Sequence, residues 1–167
     1  MKNKRQQLKR ILALDLHPAS FGYAVFENIE LFDWGTRRWK PDDGSRMRLG
    51  ISRLMQAWEP TQVVVREGAP TRQVASVKKL AQKAGVPIIT IRRSLERNAF
   101  PSCVNRFDRA AAVASRYAPL QSRVPEKRQL WDREPFQIRL FNAITAGLTY
   151  LQDRPKMDYS LTSTSPP

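Results

Sequence analysis

The chain reads as an α/β domain: a five-stranded mixed sheet flanked by helices. Three observations predict it. Strand-like runs at 11–16, 21–27 and 29–35 follow one another through very short connections, which only antiparallel neighbours permit. Two more apolar runs, 61–67 and 86–91, each follow an amphipathic helical stretch, the alternation of right-handed βαβ crossovers. Beyond residue 91 the pattern is helical. Strands one to three therefore form an antiparallel meander, and strands four and five are added by crossovers.

Each element has its own signal. ILALDL (11–16) is a compact apolar run ending near a carboxylate, and Pro18 turns the chain after it. FGYAVFE (21–27) is aromatic and β-branched, Asn28 marks a tight turn, and Gly35 closes IELFDWG (29–35). TRRWKPDDGS is expected to be a loop. A helix over 45–58 follows from Met47, Ile51, Leu54, Met55 and Trp58 on one face, with Ser45 as N-cap and Pro60 as stop. The Val-rich run at 61–67 suits a strand covered on both faces. A helix over 71–84 is capped by Thr71 and ended by Gly85. Shorter helices are expected over 95–99 and 106–117. The last helix is expected over 133–151, capped by Asp132, with Pro135 in its first turn and Phe141, Ile144, Leu148 and Leu151 as its buried stripe. This gives one domain over 10–151, a basic flexible arm at 1–9 and a disordered tail at 152–167.

The composition narrows the function. Hydrophobic residues at 41% suffice for a core. Lys and Arg number 29 against 15 Asp and Glu, a net charge of +14, so the domain attracts polyanions, nucleic acid first among them. The single cysteine, Cys103, excludes a disulfide framework and a Cys-based zinc site, and it reads as a small buried hydrophobe. The single histidine, His17, excludes a two-histidine metal motif. The basic N-terminus and ILALDL superficially imitate a signal peptide, but the apolar run is short, contains Asp15 and has no cleavage site after it. No stretch reaches the length of a membrane span, and a reducing cytoplasm fits.

Three acids stand out. Asp15 lies in an otherwise apolar strand, where a carboxylate is costly unless a cation or donors meet it. Glu67 follows VVV at the carboxyl end of the fourth strand, where ligands collect in α/β sheets. Glu134 begins the last predicted helix. If the first and fourth strands are parallel neighbours, the three acids form an oxygen-rich pocket for Mg²⁺ or Mn²⁺, one or two ions, suited to phosphodiester hydrolysis. Plainer readings stand beside this. Asp15 can bond the turn at 17–20, Glu67 can pair with Arg66 or Arg72, and Glu134 can favour a helix N-terminus.

ILALDLHPASFGYAVFE resembles the first hairpin of RuvC-like (Holliday junction resolvase-like) proteins of the ribonuclease-H-like superfamily. VVVREG resembles their fourth-strand motif ending in a catalytic Glu, and KRQLWDREPFQIRLFNAITAGLTYL resembles their closing helix. The likeness spans about residues 10–151. It implies a ribonuclease-H-like fold and a metal-dependent endonuclease acting on structured DNA such as a recombination junction, in keeping with DNA recombination and repair. Asp15, Glu67 and Glu134 then match acidic metal ligands. Asn142 falls where that helix usually has Asp before Ala, so it joins the catalytic set as a neutral oxygen ligand. This departure implies a weakly held second ion or a copy that binds without cutting, and Asn142→Asp should then raise cleavage. A junction-cutting enzyme also suits a homodimer, since a four-way junction has two-fold character.

The basic surface supplies the remaining candidates. Arg37, Arg38 and Lys40 flank Trp39. Arg92, Arg93 and Arg97 follow the fifth strand. Arg123, Lys127 and Arg128 precede Trp131. Basic residues beside tryptophan suit phosphate contact with base stacking, although both tryptophans can pack the core instead, Trp131 especially. Nothing resembles a base-reading motif, so recognition by DNA structure is expected. A non-catalytic nucleic-acid-binding module on the same fold is the alternative to the nuclease. An actin-like ATP-binding domain is disfavoured, because LDLHPASFG lacks phosphate-loop glycines and the chain is short.

Overall fold

The structure, a computed structural model, describes residues 9–41, 43–127, 131 and 133–157, without the side chains of 154–157. Residues 1–8 of the expected arm, the expected cap Asp132 and the tail from 158 lie outside that range.

Five strands form one sheet: β1 (Arg10–His17), β2 (Ser20–Glu27), β3 (Glu30–Arg38), β4 (Gln62–Arg66) and β5 (Ile88–Ile91), in the order β3-β2-β1-β4-β5. The β1–β2 and β2–β3 pairs are antiparallel, and the β1–β4 and β4–β5 pairs are parallel. The expected meander with two crossovers is what forms. β3 runs three residues past Gly35, because Thr36, Arg37 and Arg38 still pair with Gly22, Phe21 and Ser20.

Helices α1 (Gly44–Trp58) and α2 (Thr71–Ala84) cover one face. Their core holds Leu12, Leu14, Leu16, Phe21, Val25, Val63 and Val65 from the sheet, with Met47, Ile51 and Val77 from the helices. Neither Ser45 nor Thr71 caps. The N-caps are Asp43 and Pro70, without side-chain cap bonds. Gly85 ends α2 at φ 68°, in the left-handed region that glycine adopts freely.

The other face is covered by α3 (Arg93–Ala99), α4 (Arg106–Arg116), a 3-10 turn (Ala118–Arg123) and α5 (Ile138–Met157). Asn105 starts α4 with a reciprocal capping box to Asp108. α5 lies against Ile11, Ala13, Ala24, Phe26 and Val64 and beneath α4, so Phe141, Ile144 and Leu148 are buried as expected. Its start is a correction. Residues 133–137 are not helical; three i→i+3 bonds, from Ile138 to Pro135, Arg139 to Phe136 and Leu140 to Gln137, wind the chain into the helix. Its end is another, since α5 continues to Met157, past the expected start of the tail. Cys103 is half-buried and free, not a core residue. Among the described residues no helix is long and apolar enough to cross a membrane.

Candidate nucleic-acid interface and the Asp15 centre

Side chains alternate along a strand, so the two cores fix which way each strand-end residue points. Ile11 and Ala13 face α5, whereas Leu12, Leu14 and Leu16 face α1 and α2. Asp15 therefore faces α5, and it is only 3% exposed. On β4, Val64 shares that face while Val63 and Val65 take the other, so Arg66 points toward α5 as well. Leu14 pairs with Val65 in the parallel register, and the next step sets Asp15 beside Arg66.

The contacts agree. One Asp15 oxygen, Oδ2, accepts a hydrogen bond from Asn142 Nδ2 at 3.0 Å and lies 3.0 Å from His17 Nε2. The other, Oδ1, is 3.9 Å from Arg66 Nη1. Arg66 in turn donates twice to the buried Glu96 of α3, Nε to Oε1 at 2.7 Å and Nη2 to Oε2 at 3.0 Å. Burial opposes the Arg66 charge, but the hydrogen bonds to Glu96 and the charges of Glu96 and Asp15 outweigh it, and its pKa is raised. α5 reaches this centre because β2 has Gly22 opposite Asp15. A Cβ there would stand 2.1 Å from the Arg139 carbonyl oxygen.

Of the expected acidic triad, Asp15 alone contacts the groups of this centre, while the charge of Glu134 still reaches Arg66 from the segment before α5. Glu67 is exposed and follows the end of β4, with its carboxylate accepting from the Arg93 backbone N–H at 2.9 Å. The alternation that turns Arg66 toward Asp15 sends Glu67 elsewhere. Glu134 precedes α5 rather than beginning it, and it is ion-paired with Arg106. Asn142 does meet Asp15, but as a donor of its amide N–H.

These residues do not fit a divalent ion. Mg²⁺ and Mn²⁺ require several uncommitted hard oxygens. Asp15 is already met by an amide, an imidazole and a guanidinium, and a guanidinium stands where a second carboxylate is needed. Among the described residues no group of three or more His, Cys, Asp or Glu side chains is placed to hold a metal ion.

The strand directions give the basic residues a shared location. β1, β3, β4 and β5 all point the same way, so their carboxyl ends form one rim. Arg37 and Arg38 end β3, Arg66 ends β4, and Arg92 and Arg93 follow β5. Four strand spacings put roughly 19 Å between β3 and β5. Arg37, Arg38, Lys40, Arg92, Arg93, Arg97, Arg123 and Lys127 are exposed, and Arg128 lies outside the described residues. Behind β3, Arg37 joins Arg46 and Arg53 of α1 in a groove of ≈ 590 Å³ with Tyr23 and Trp58. The Arg37 guanidinium lies 5.4 Å from the Tyr23 ring centroid.

The tryptophans exchange their expected places. Trp39 is 8% exposed and packs against Phe21 at 5.8 Å between centroids, so it is a core residue and not a stacking platform. Trp131, expected to anchor packing, is 81% exposed. Arg66, Glu96 and Arg139 were not among the sequence candidates. Arg139 was findable, since it precedes Asn142 by three and shares its helix face.

No family model and no curated protein matches the chain. Solved structures do. Thermus thermophilus RuvC in complex with a Holliday junction substrate is 16% identical with a TM-score of 0.67, covering 89% of this chain and 96% of that one. Thermus thermophilus RuvC alone is 14% identical with a TM-score of 0.66, at the same coverage. The fowlpox virus resolvase in complex with Holliday junction DNA is 14% identical with a TM-score of 0.59, covering 86% and 99%. The chain has the ribonuclease-H-like fold of these resolvases.

Proposed function

We propose that this protein binds branched DNA through the rim at the strand carboxyl ends and does so without a metal-dependent cutting step. The observation that carries the reading is Arg66. Its guanidinium stands beside Asp15 where the resemblance to resolvases leads one to expect a second carboxylate. The net charge of +14 and the arginines spaced across the rim supply the phosphate attraction. The fold shared with two proteins solved in complex with Holliday junctions supports a branched duplex as the partner. In this reading Asp15, Asn142, His17, Arg66 and Glu96 form a closed polar network that holds α5 and α3 in place beneath the DNA.

Metal-dependent hydrolysis of the junction is the second reading. It is favoured by Asp15, which sits buried at the end of β1, where the resemblance places the first acidic ligand.

One assay separates the two. A four-way junction is titrated with the protein in EDTA over a range of salt, then incubated with Mg²⁺ or Mn²⁺. Binding in EDTA that weakens steeply with salt, with the junction left intact in metal, is the expected result. Cleavage by the parent that disappears in Asp15→Asn would establish the second reading, and flat binding across salt would remove DNA as the partner.

A further inference from the structure

We infer that Arg38 and Arg139 form a seat for one phosphodiester group of the bound DNA, built on the ring of Phe136. The inference rests on the DNA-binding reading above and names the place where one backbone phosphate is held.

Arg38 comes from the end of β3, and Arg139 from the first turn of α5. Both guanidiniums lie over the Phe136 ring, Arg38 at 3.8 Å and Arg139 at 5.2 Å from its centroid. Two like charges gathered on one ring repel each other, and the ring quadrupole compensates only in part. Among the described residues neither arginine has an ion-pair partner within 4.0 Å. The acids whose charge reaches Arg139 are Glu134 and Asp15, and both are engaged, Glu134 by Arg106 and Asp15 by Asn142, His17 and Arg66. The Nε of Arg139 is buried and has no hydrogen-bond acceptor.

A buried donor without an acceptor costs free energy, which a small turn of the guanidinium toward an arriving oxygen recovers. The Arg139 pKa is lowered, first by burial, with the Arg38 charge adding to it. An anion between the two guanidiniums would relieve both effects. A phosphodiester fits, because its two free oxygens can accept from two planar donors at once. Charge on the rim brings the backbone within reach.

The seat is tested first without DNA. The Nε–H signals of arginine are followed by NMR in the full chain during titration with inorganic phosphate, against sodium chloride at matched ionic strength. The Arg139 Nε–H signal should shift with phosphate and not with chloride, and Arg38→Gln should abolish the shift. No selective shift in the parent would overturn the seat, whatever the DNA result.

The second arm uses junction DNA and the slope of log K against log salt. Each phosphate contact contributes roughly 0.9 to that slope. Arg38→Gln, Arg139→Gln and the double variant should each lower it by about one contact, since all remove the same phosphate. A double variant that loses two contacts would show separate phosphates, and one that loses none would show that DNA passes elsewhere. Phosphate binding by a protein that fails to bind any DNA would leave the seat standing and sink the DNA reading.

Discussion

Replacing Arg66 by Met should destabilise the protein far more than a surface charge loss would. The side chains of Arg66 and Glu96 are 9% and 1% exposed and are joined by hydrogen bonds of 2.7 and 3.0 Å. Removing the arginine leaves Glu96 buried without a counter-charge, and it takes the cation away from Asp15. Breaking a buried pair by removing one partner costs about 3–5 kcal/mol. For a chain of this length each kcal/mol moves Tm by about 2–4 °C, so a loss of about 4 kcal/mol lowers it by about 8–16 °C. The assay is urea unfolding followed by circular dichroism, with thermal melts in parallel. Arg66→Met/Glu96→Leu should recover most of the loss, because an apolar pair of similar volume is often no worse than a buried ion pair. Asp15 keeps the recovery from being complete, since the double variant still lacks the cation 3.9 Å from its buried carboxylate. A loss below about 1 kcal/mol in the single variant would place the pair among exposed salt bridges and refute the closed network.

Three further outcomes follow from the same geometry. Gly22→Ala should lower stability by about 3 kcal/mol or more, measured by urea unfolding, because its Cβ meets the Arg139 carbonyl at 2.1 Å and backbone must move. Trp39→Ala should cost about 3–5 kcal/mol as a core truncation. Its affinity for junction DNA at a temperature where it is folded should stay within twofold of the parent, whereas loss of a stacking platform would weaken it more. Asn142→Asp puts a second carboxylate against Asp15 at the 3.0 Å contact, and the two cannot both ionise comfortably. The folded state then holds a proton that the unfolded chain releases, so stability falls as pH rises and recovers toward acid. Melting curves between pH 5 and 8 check the sign. A Tm raised selectively by Mn²⁺ would show that the centre accepts an ion despite Arg66.

Much of the fold was legible because each sheet strand carried a local signal. Aromatic and β-branched runs with short turns specify a meander, and strand–helix alternation specifies crossovers. The start of α5 was not. Pro135 is as compatible with a first helical turn as with the chain before it, and only the 3-10 bonds spanning 135–140 decide. The places of the tryptophans are hidden in the sequence for a related reason. TRRWK resembles a basic loop, but pairing with β2 extends β3 through Arg38, and the following Trp39 backbone N–H bonds to the Ala19 carbonyl at 3.0 Å beside the Phe21 core.

The choice between Arg66 and Glu67 turns on strand phase, and here the sequence is mute for a physical reason. In a strand covered on one face only, alternating polar and apolar residues reveal which positions share a side. β4 is covered on both, and Val63, Val64 and Val65 are all fully buried, so the run has no alternation to read. Either Arg66 or Glu67 could then stand beside Asp15, and the resemblance to a motif ending in Glu favoured the acid. A one-residue shift in phase moves every side chain to the opposite face. The pairing of Leu14 with Val65, together with Val64 in the α5 core, settles the phase and brings a cation to Asp15. Asn142 then falls into place as a donor, because a carboxylate already facing a guanidinium can accept its amide N–H.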